Sequence, residues 1–374
     1  MSIDSAVASP SGNSNDKARL ARAIAKAQAS PGSSLALYHL AEEYRVQGCN
    51  DAWRTAIHAA LNLPHFGSRE TYFRARAKLL MGDWSGWSDY EVRQDKPGEW
   101  FARQPMAQQI RWRIKQWDGI EDLRNLTLLA VGEKGFGDVV QMLRYLPTLI
   151  GKSMHLVVLC RRELVDLIQY NVGQSVTVQA FDDSNPISAD RYVWLMSMPA
   201  LTGRLPPFVP LRAPAPMGRP IDSTDRLRIG LCWAGRPTHT ADHRRSMPLA
   251  SLERLINSQA FAVHSLQVGQ RAAEATAFPQ LLPAPTSIKN FADTANAILS
   301  LDCVVTVDTA VAHLSGSLGV NTYLLLSAGA DWRWGLTDST DWYPTMRLIR
   351  QRRLGDWSDV VDNVVSRLVE IGRH

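Results

Sequence analysis

Leu301–Leu326, LDCVVTVDTAVAHLSGSLGVNTYLLL, contains a whole strand–helix–strand unit. Leu301–Val307 and Thr322–Leu326 are short, unbroken apolar runs rich in β-branched residues, the signature of strands buried on both faces of a parallel sheet. Between them, Asp308 and Thr309 fall where the first strand must end. The small residues Ala310, Ala312, Ser315, Gly316 and Ser317 let a helix lie close to the sheet, and Gly319 stops it. A Thr N-cap followed by open backbone N–H groups, beyond the carboxyl end of a strand, offers an anion site. The same residues also suit an ordinary capped crossover helix.

Outward from this unit, the pattern repeats. Strands are predicted at Leu227–Trp233 and Ala262–Gln267, with helices at Leu249–Ile256 and Phe291–Leu299. Before a proline-rich linker running from Leu205 through Pro214, Pro216 and Pro220, a second series begins with Leu126–Val131. It continues through a glycine-rich turn, a helix to Tyr145, strands His155–Leu159 and Tyr192–Met196, and a helix at Arg162–Tyr170. Two Rossmann-like halves joined by a linker place a cleft between the carboxyl ends of two sheets, where ligands bind.

From Lys17 to about Gln116 the apolar spacing is helical: Leu20, Ile24 and Ala27; Leu37, Leu40, Ala41 and Tyr44; Trp53, Ile57, Ala60 and Leu61. Breaks at Ser30-Pro31-Gly32, Gly48-Cys49-Asn50 and Pro64-His65-Phe66-Gly67 predict antiparallel helix pairs of solenoid type, without a strict repeat period. Trp84, Trp87, Trp100, Trp112 and Trp117 are expected to seal the joint to the next domain. The divisions read as a disordered tail (1–16), a helical domain (17–118), two α/β domains (119–215 and 224–356) and a C-terminal helix (357–374) expected to pack across the domain joint. The 374 residues carry 41 basic and 36 acidic side chains without a basic block, which argues against a nucleic-acid footprint and favours an anionic small ligand. Cys49, Cys160, Cys232 and Cys303 lack metal-ligand spacing and read as thiols in a reducing compartment. With neither a leader pattern nor a membrane-length apolar run, a soluble, cytoplasmic protein is expected.

Gly132-x-x-Gly135-x-Gly137-Asp138 is neither the dinucleotide fingerprint nor a P-loop. It does let backbone approach a ligand and sets a carboxylate at a helix start, so that Asp138 is either a general base, a helix cap, or both. Glu133 and Lys134 read as orienting charges. The turn Trp233-Ala234-Gly235-Arg236, running on to Asp242-His243-Arg244-Arg245-Ser246, suits a diphosphate that needs charge neutralisation. His239 and His243 have no carboxylate to complete a zinc site. His313 lies one turn beyond Thr309, and Asp293 begins a helix in the same domain. No DxD motif follows a strand, so a bridging divalent cation has no support.

In this order the residues resemble the heptosyltransferase-like glycosyltransferases of the GT-B fold (family nine type), in the bacterial branch that adds tetratricopeptide-like helices. The likeness spans roughly Gly82 to Trp357. It rests on Gly82-Asp83-Trp84 through Tyr90-Glu91-Val92-Arg93 and Trp117-Asp118-Gly119, then on Glu133 to Asp138 with Gln141 and Arg144-Tyr145-Leu146-Pro147. Trp233-Ala234-Gly235 with Arg245-Ser246, Leu266-Gln267, Phe291-x-Asp293-Thr294, Asp308-Thr309-Ala310 with His313, Asp331-Trp332-Arg333-Trp334 and Trp342-Tyr343-Pro344 complete it. Lys134, Arg236 and Val320-Asn321-Thr322 depart from the usual pattern.

The resemblance implies an α/β GT-B fold behind an all-α cap, and an inverting, metal-independent glycosyltransferase needing no cofactor. Its donor would be a nucleoside-diphosphate sugar and its acceptor a hydroxyl on a protein or glycan, held by the cap. Asp138 would be the base. The nucleotide-sugar site would draw on Gly135, Gly137, Trp233, Arg244, Arg245, Ser246, Gln267, Asp293, Asp308, Thr309, Ala310, His313 and Arg333. A non-catalytic helical-repeat protein on a degenerate scaffold, or a nucleotide-sugar epimerase, are the alternatives.

Overall fold

Two stacks of buried, β-branched strands organise the chain into two sheets, every neighbouring pair parallel. The computed structural model describes residues 14–65, 67–95, 105–183, 187–214 and 226–371. The first sheet comprises β1 (Lys115–Gln116), β2 (Thr127–Val131), β3 (His155–Cys160), β4 (Val176–Ala180) and β5 (Arg191–Trp194), in the order β1-β5-β2-β3-β4. The second comprises β6 (Leu227–Cys232), β7 (Phe261–Ser265), β8 (Cys303–Val307), β9 (Thr322–Leu326) and β10 (Met346–Arg350), in the order β10-β9-β8-β6-β7. This is the two-sheet GT-B architecture.

In each sheet the strand order reverses at one point, between β2 and β5 in the first and between β6 and β8 in the second. Crevices for ligands open beyond the carboxyl ends of strands at such points. The glycine-rich turn follows β2, the Trp233 turn follows β6, and Asp308-Thr309 follows β8.

The helical cap runs through helices at Ser14–Ala29, Ser34–Val46, Asn50–Leu61, Ser68–Leu80, Gly86–Tyr90 and Pro105–Arg113. The expected tail therefore ends sooner than residue 16. Ser14, Asn15 and Asp16 already belong to a helix, where an acidic first turn suits the macrodipole, and Asp16 also lies 3.6 Å from Arg244 of the second lobe. Earlier tail residues, like Phe66, Trp100, Pro216 and Pro220, lie outside the described residues.

The aromatic seal differs in membership. Trp84 and Trp87 close the joint, but against Trp332 and Trp342 of the second lobe, with ring centroids 5.4 Å apart for Trp87–Trp332 and 6.5 Å for Trp84–Trp342. Trp84 Nε1 also donates to the Pro199 carbonyl of the first lobe (3.3 Å). Trp117 is buried beside β1, whereas Trp112 is 88% exposed and seals nothing.

The C-terminal helix Ser358–Ile371 does not cross the joint. Its apolar stripe of Val360, Val361, Val364, Val365 and Leu368 is buried in one cluster with Leu252, Leu255 and Ile349 of the second lobe, because that sheet face needs a cover. No helix among the described residues is long and apolar enough to cross a membrane.

Candidate active site

The two lobes meet helix against helix. Phe136–Met142 opens at Gly135, and Asp138, its third residue, folds back so that Oδ2 accepts from the Gly135 N–H (2.8 Å). Ala310–Ser317 opens at Thr309, whose Oγ1 accepts from the Val311 N–H (3.2 Å). The sequence reading of both caps is thus met. Gly137 lies against His313, with no room for a larger residue: a Cβ there would come 2.6 Å from His313 Cδ2.

His313 is buried, not open to a ligand. Its Nδ1 is 2.8 Å from the Tyr343 hydroxyl and its ring stacks on Trp334 at 4.9 Å. Burial, helped by the nearby Arg333 cation, lowers its pKa to about 4, so the imidazole is neutral at pH 7. It serves the seam between the lobes.

Across that seam Asp138 forms an ion pair with Arg333. Arg333 also donates from Nη1 to Asp331 Oδ1 (2.8 Å), and its guanidinium lies 4.3 Å above the Trp332 ring. Burial works against ionisation of Asp331, but Arg333 and Arg76 overcome it and hold the carboxyl well below its ordinary range. Arg333 is thereby fixed between two carboxylates, with its Nε buried and lacking a hydrogen-bond partner.

Beyond β6 the Trp233-Ala234-Gly235 turn is held by side chains. Gln267 Oε1 accepts from the N–H groups of Trp233 (3.1 Å) and Ala234 (2.9 Å), while its Nε2 donates to the Ala234 carbonyl (3.0 Å). Ser246 Oγ accepts from the Gly235 N–H (2.9 Å) and donates to Asp242 (3.0 Å). Gln267 and Ser246 therefore shape the turn. The Trp233 indole is wholly buried in the lobe core with Met247 and Leu249, and its backbone N–H and carbonyl are taken by Gln267 and the Met247 N–H.

Arg244 and Arg245 diverge. Arg244 pairs with Asp16 of the cap, while Arg245 donates from Nε to Asp242 (3.2 Å), packs over Gly235, and is felt electrostatically by Asp308. Asp293 is a helix cap: its carboxylate accepts from the Lys289 and Asn290 N–H groups while its own N–H donates to Asn290 Oδ1 (2.9 Å). Asp308, at the end of β8, is different again. Burial and the neighbouring Asp331 charge raise its pKa to about 6. A groove of about 490 Å³ beside Gln267 is lined by Val268, Ala275, Pro283, Thr286 and Ile288.

No family model matches the chain, and no curated protein does. Several solved glycosyltransferase structures align with it. The E. coli ADP-heptose LPS heptosyltransferase II aligns at 12% identity and TM-score 0.42, over 65% of this chain and 99% of its own. The iron-containing dodecameric glycosyltransferase TibC of enterotoxigenic E. coli aligns at 12% and 0.44, over 67% and 78%. A family 9 glycosyl transferase from Veillonella parvula aligns at 9% and 0.43, over 66% and 92%. The roles of residues in this chain rest on their own geometry.

That geometry brings together Gly135, Gly137, Asp138, Thr309, Ala310, His313 and Arg333, with Arg245 and Asp308 alongside. Trp233, Arg244, Gln267 and Asp293 stand behind or outside it. Asp331 and Tyr343 belong to it as well; the sequence showed them within the two aromatic-rich stretches of the resemblance, without a site role.

Ala in place of Thr309 is expected to remove about 1 kcal/mol of helix capping, as N-cap truncations do. Calorimetry should then show several-fold weaker nucleoside-diphosphate binding, and unchanged affinity would remove this helix start from the site.

Proposed function

We propose that this protein is an inverting glycosyltransferase that moves a sugar from a nucleoside diphosphate to a hydroxyl on a protein or surface glycan, without a divalent cation. The observation that carries the reading is the ion pair of Asp138 of one lobe with Arg333 of the other, where the Asp138 helix packs through Gly137 on His313 of the helix that Thr309 caps. The diphosphate would rest on the Thr309-Ala310 backbone, where helix dipole and orphan N–H groups favour an anion, with Arg333 and Arg245 neutralising its charge. The nucleoside would lie in the groove beside Gln267.

Asp138 then takes the acceptor proton while the acceptor oxygen attacks the anomeric carbon in line and the sugar–phosphate bond breaks. The departing diphosphate gains charge as it leaves, and the preplaced cations and backbone dipoles stabilise it. Arg333 lies between base and leaving group, so an arriving diphosphate competes with Asp138 for the guanidinium and frees the carboxylate when it is needed. Free thiols at all four cysteines fit a reducing, cytoplasmic setting.

A screen of nucleotide sugars with purified protein, reading release of nucleoside diphosphate in the presence and absence of acceptors, tests this. Release that depends on an acceptor hydroxyl supports it. Isomerised donor without acceptor would indicate epimerisation, and no binding of any nucleotide sugar would indicate an interaction protein.

Donor affinity should also depend on pH through Asp308. Its folded-state pKa of about 6 lies above the usual carboxylate value, so any stability this group contributes is full below the unfolded pKa and is lost as pH rises through about 6. Ionised, it repels a diphosphate at the same helix start. Nucleotide-sugar affinity, measured with a donor whose own charge is fixed over this range, should fall between about pH 5 and pH 8. An Asp308→Asn variant should lose the dependence; a flat wild-type profile would exclude Asp308 from the diphosphate's surroundings.

A further inference from the structure

We infer that the Tyr90–Arg93 turn of the helical cap is the positioning device of the transfer site, setting the Asp138 turn of one lobe against the Arg333 loop of the other. This deepens the proposed function and rests on it. On the first-lobe side, the Arg93 guanidinium is wholly buried and meets Glu133, itself buried, through Nη2 to Oε1 (2.6 Å) and Nε to Oε2 (3.2 Å). The same guanidinium donates to Ser197 Oγ (2.9 Å) and pairs with Glu91, while Glu133 Oε1 also accepts from the Met196 N–H (3.2 Å). Arg93 thus ties together the loops after β2 and β5, on either side of the reversal point of the first sheet. The helix that carries Asp138 begins where the first of them ends.

Lys134, next to Glu133, is in the left-handed region at φ 63, an uncommon conformation for a residue with a side chain. Tyr90 holds it: Lys134 Nζ donates to the Tyr90 hydroxyl (2.8 Å) and lies 5.0 Å from the ring centroid.

The other face of the same turn holds the second lobe. The Tyr90 and Trp87 rings pack at 5.2 and 5.4 Å on Trp332, the ring beneath the Arg333 guanidinium. The start of that loop is fixed by the cap as well. Gly329 lies against Val46, where a Cβ would come 2.8 Å from Val46 Cα, and Arg45 donates to the Ala330 carbonyl.

None of these cap residues touches the reacting atoms, so they are positioning residues. A wholly buried ion pair is a poor source of stability, since apolar replacements of both partners are often neutral. Its value here lies in direction: the guanidinium fork fixes two loops at defined angles, as no apolar contact would.

The test uses the full chain, a Tyr90→Phe variant and a paired Arg93→Met, Glu133→Leu variant that removes the wholly buried ion pair as a unit and leaves only the partly exposed Glu91 carboxylate without its arginine. Both are expected to keep the melting temperature near wild type and to change the affinity for UDP and ADP less than they change turnover, because the Thr309 helix start and Arg245 of the second lobe are untouched. The transfer kcat should fall by about tenfold to a hundredfold, the scale of a sub-ångström to ångström misplacement. Hydrogen exchange should quicken together in 132–138 and 329–334. Wild-type kcat and wild-type exchange in both segments would overturn the assignment. If the unaltered protein turns over no nucleotide sugar, the functional reading falls, and the exchange measurement still decides whether the cap couples the two segments.

Discussion

Asn at position 138 should abolish transfer while nucleoside-diphosphate binding survives. The expected loss is roughly 10²- to 10⁴-fold, the range over which general bases contribute. The substitution is conservative in shape, since an Asn side-chain oxygen can still accept from the Gly135 N–H and keep the helix start capped. What disappears is the charge that pairs with Arg333 and that, in the proposed reaction, would take the proton. Because the diphosphate would be held by the other lobe, affinity should equal or exceed wild type, with Arg333 released to the ligand. Calorimetry and turnover on one preparation check both halves, and a fully active Asn variant would strip Asp138 of its role.

Met in place of Arg333 should be damaging in two ways at once. Asp138 and Asp331 would each lose a cation at a site where Arg333 itself is only 10% exposed. Truncating one partner of a buried pair costs about 3–5 kcal/mol, so a clear drop in melting temperature is expected. Removing one preplaced donor to a developing anion lowers kcat by about 10²- to 10³-fold. Lys would rescue little, because a single ammonium does not reproduce a fork that reaches two carboxylates on opposite lobes. Thermal melting and transfer kinetics decide; unchanged values in both would remove Arg333 from the site.

The sequence was most legible where physics is local. β8 and β9 are continuous apolar runs, and Thr309 and Asp138 sit at helix starts whose chemistry is written within four residues. β4 and β10 escaped because both are sheet edges with polar side chains: Thr177 and Gln179 in one, Arg347 and Arg350 in the other interrupt the apolar pattern. Trp233 misled because an aromatic beside a basic turn resembles a ligand platform, whereas strand alternation turns this one inward. Arg93 and Glu133 are forty residues apart, and no local rule links them. A lone Glu one glycine beyond a buried strand was the available sign that a distant cation must meet it.

Trp332 and Trp342 bear on how such a protein can diversify. Both lie nearly hidden beneath Trp84, Trp87 and Tyr90, so the two α/β lobes alone would present a broad indole surface to water. The N-terminal helices are consequently no detachable module. A recombination that exchanged them for another repeat array would have to bring matching rings and a matching arginine, which ties the inheritance of this region to that of the sheets it covers.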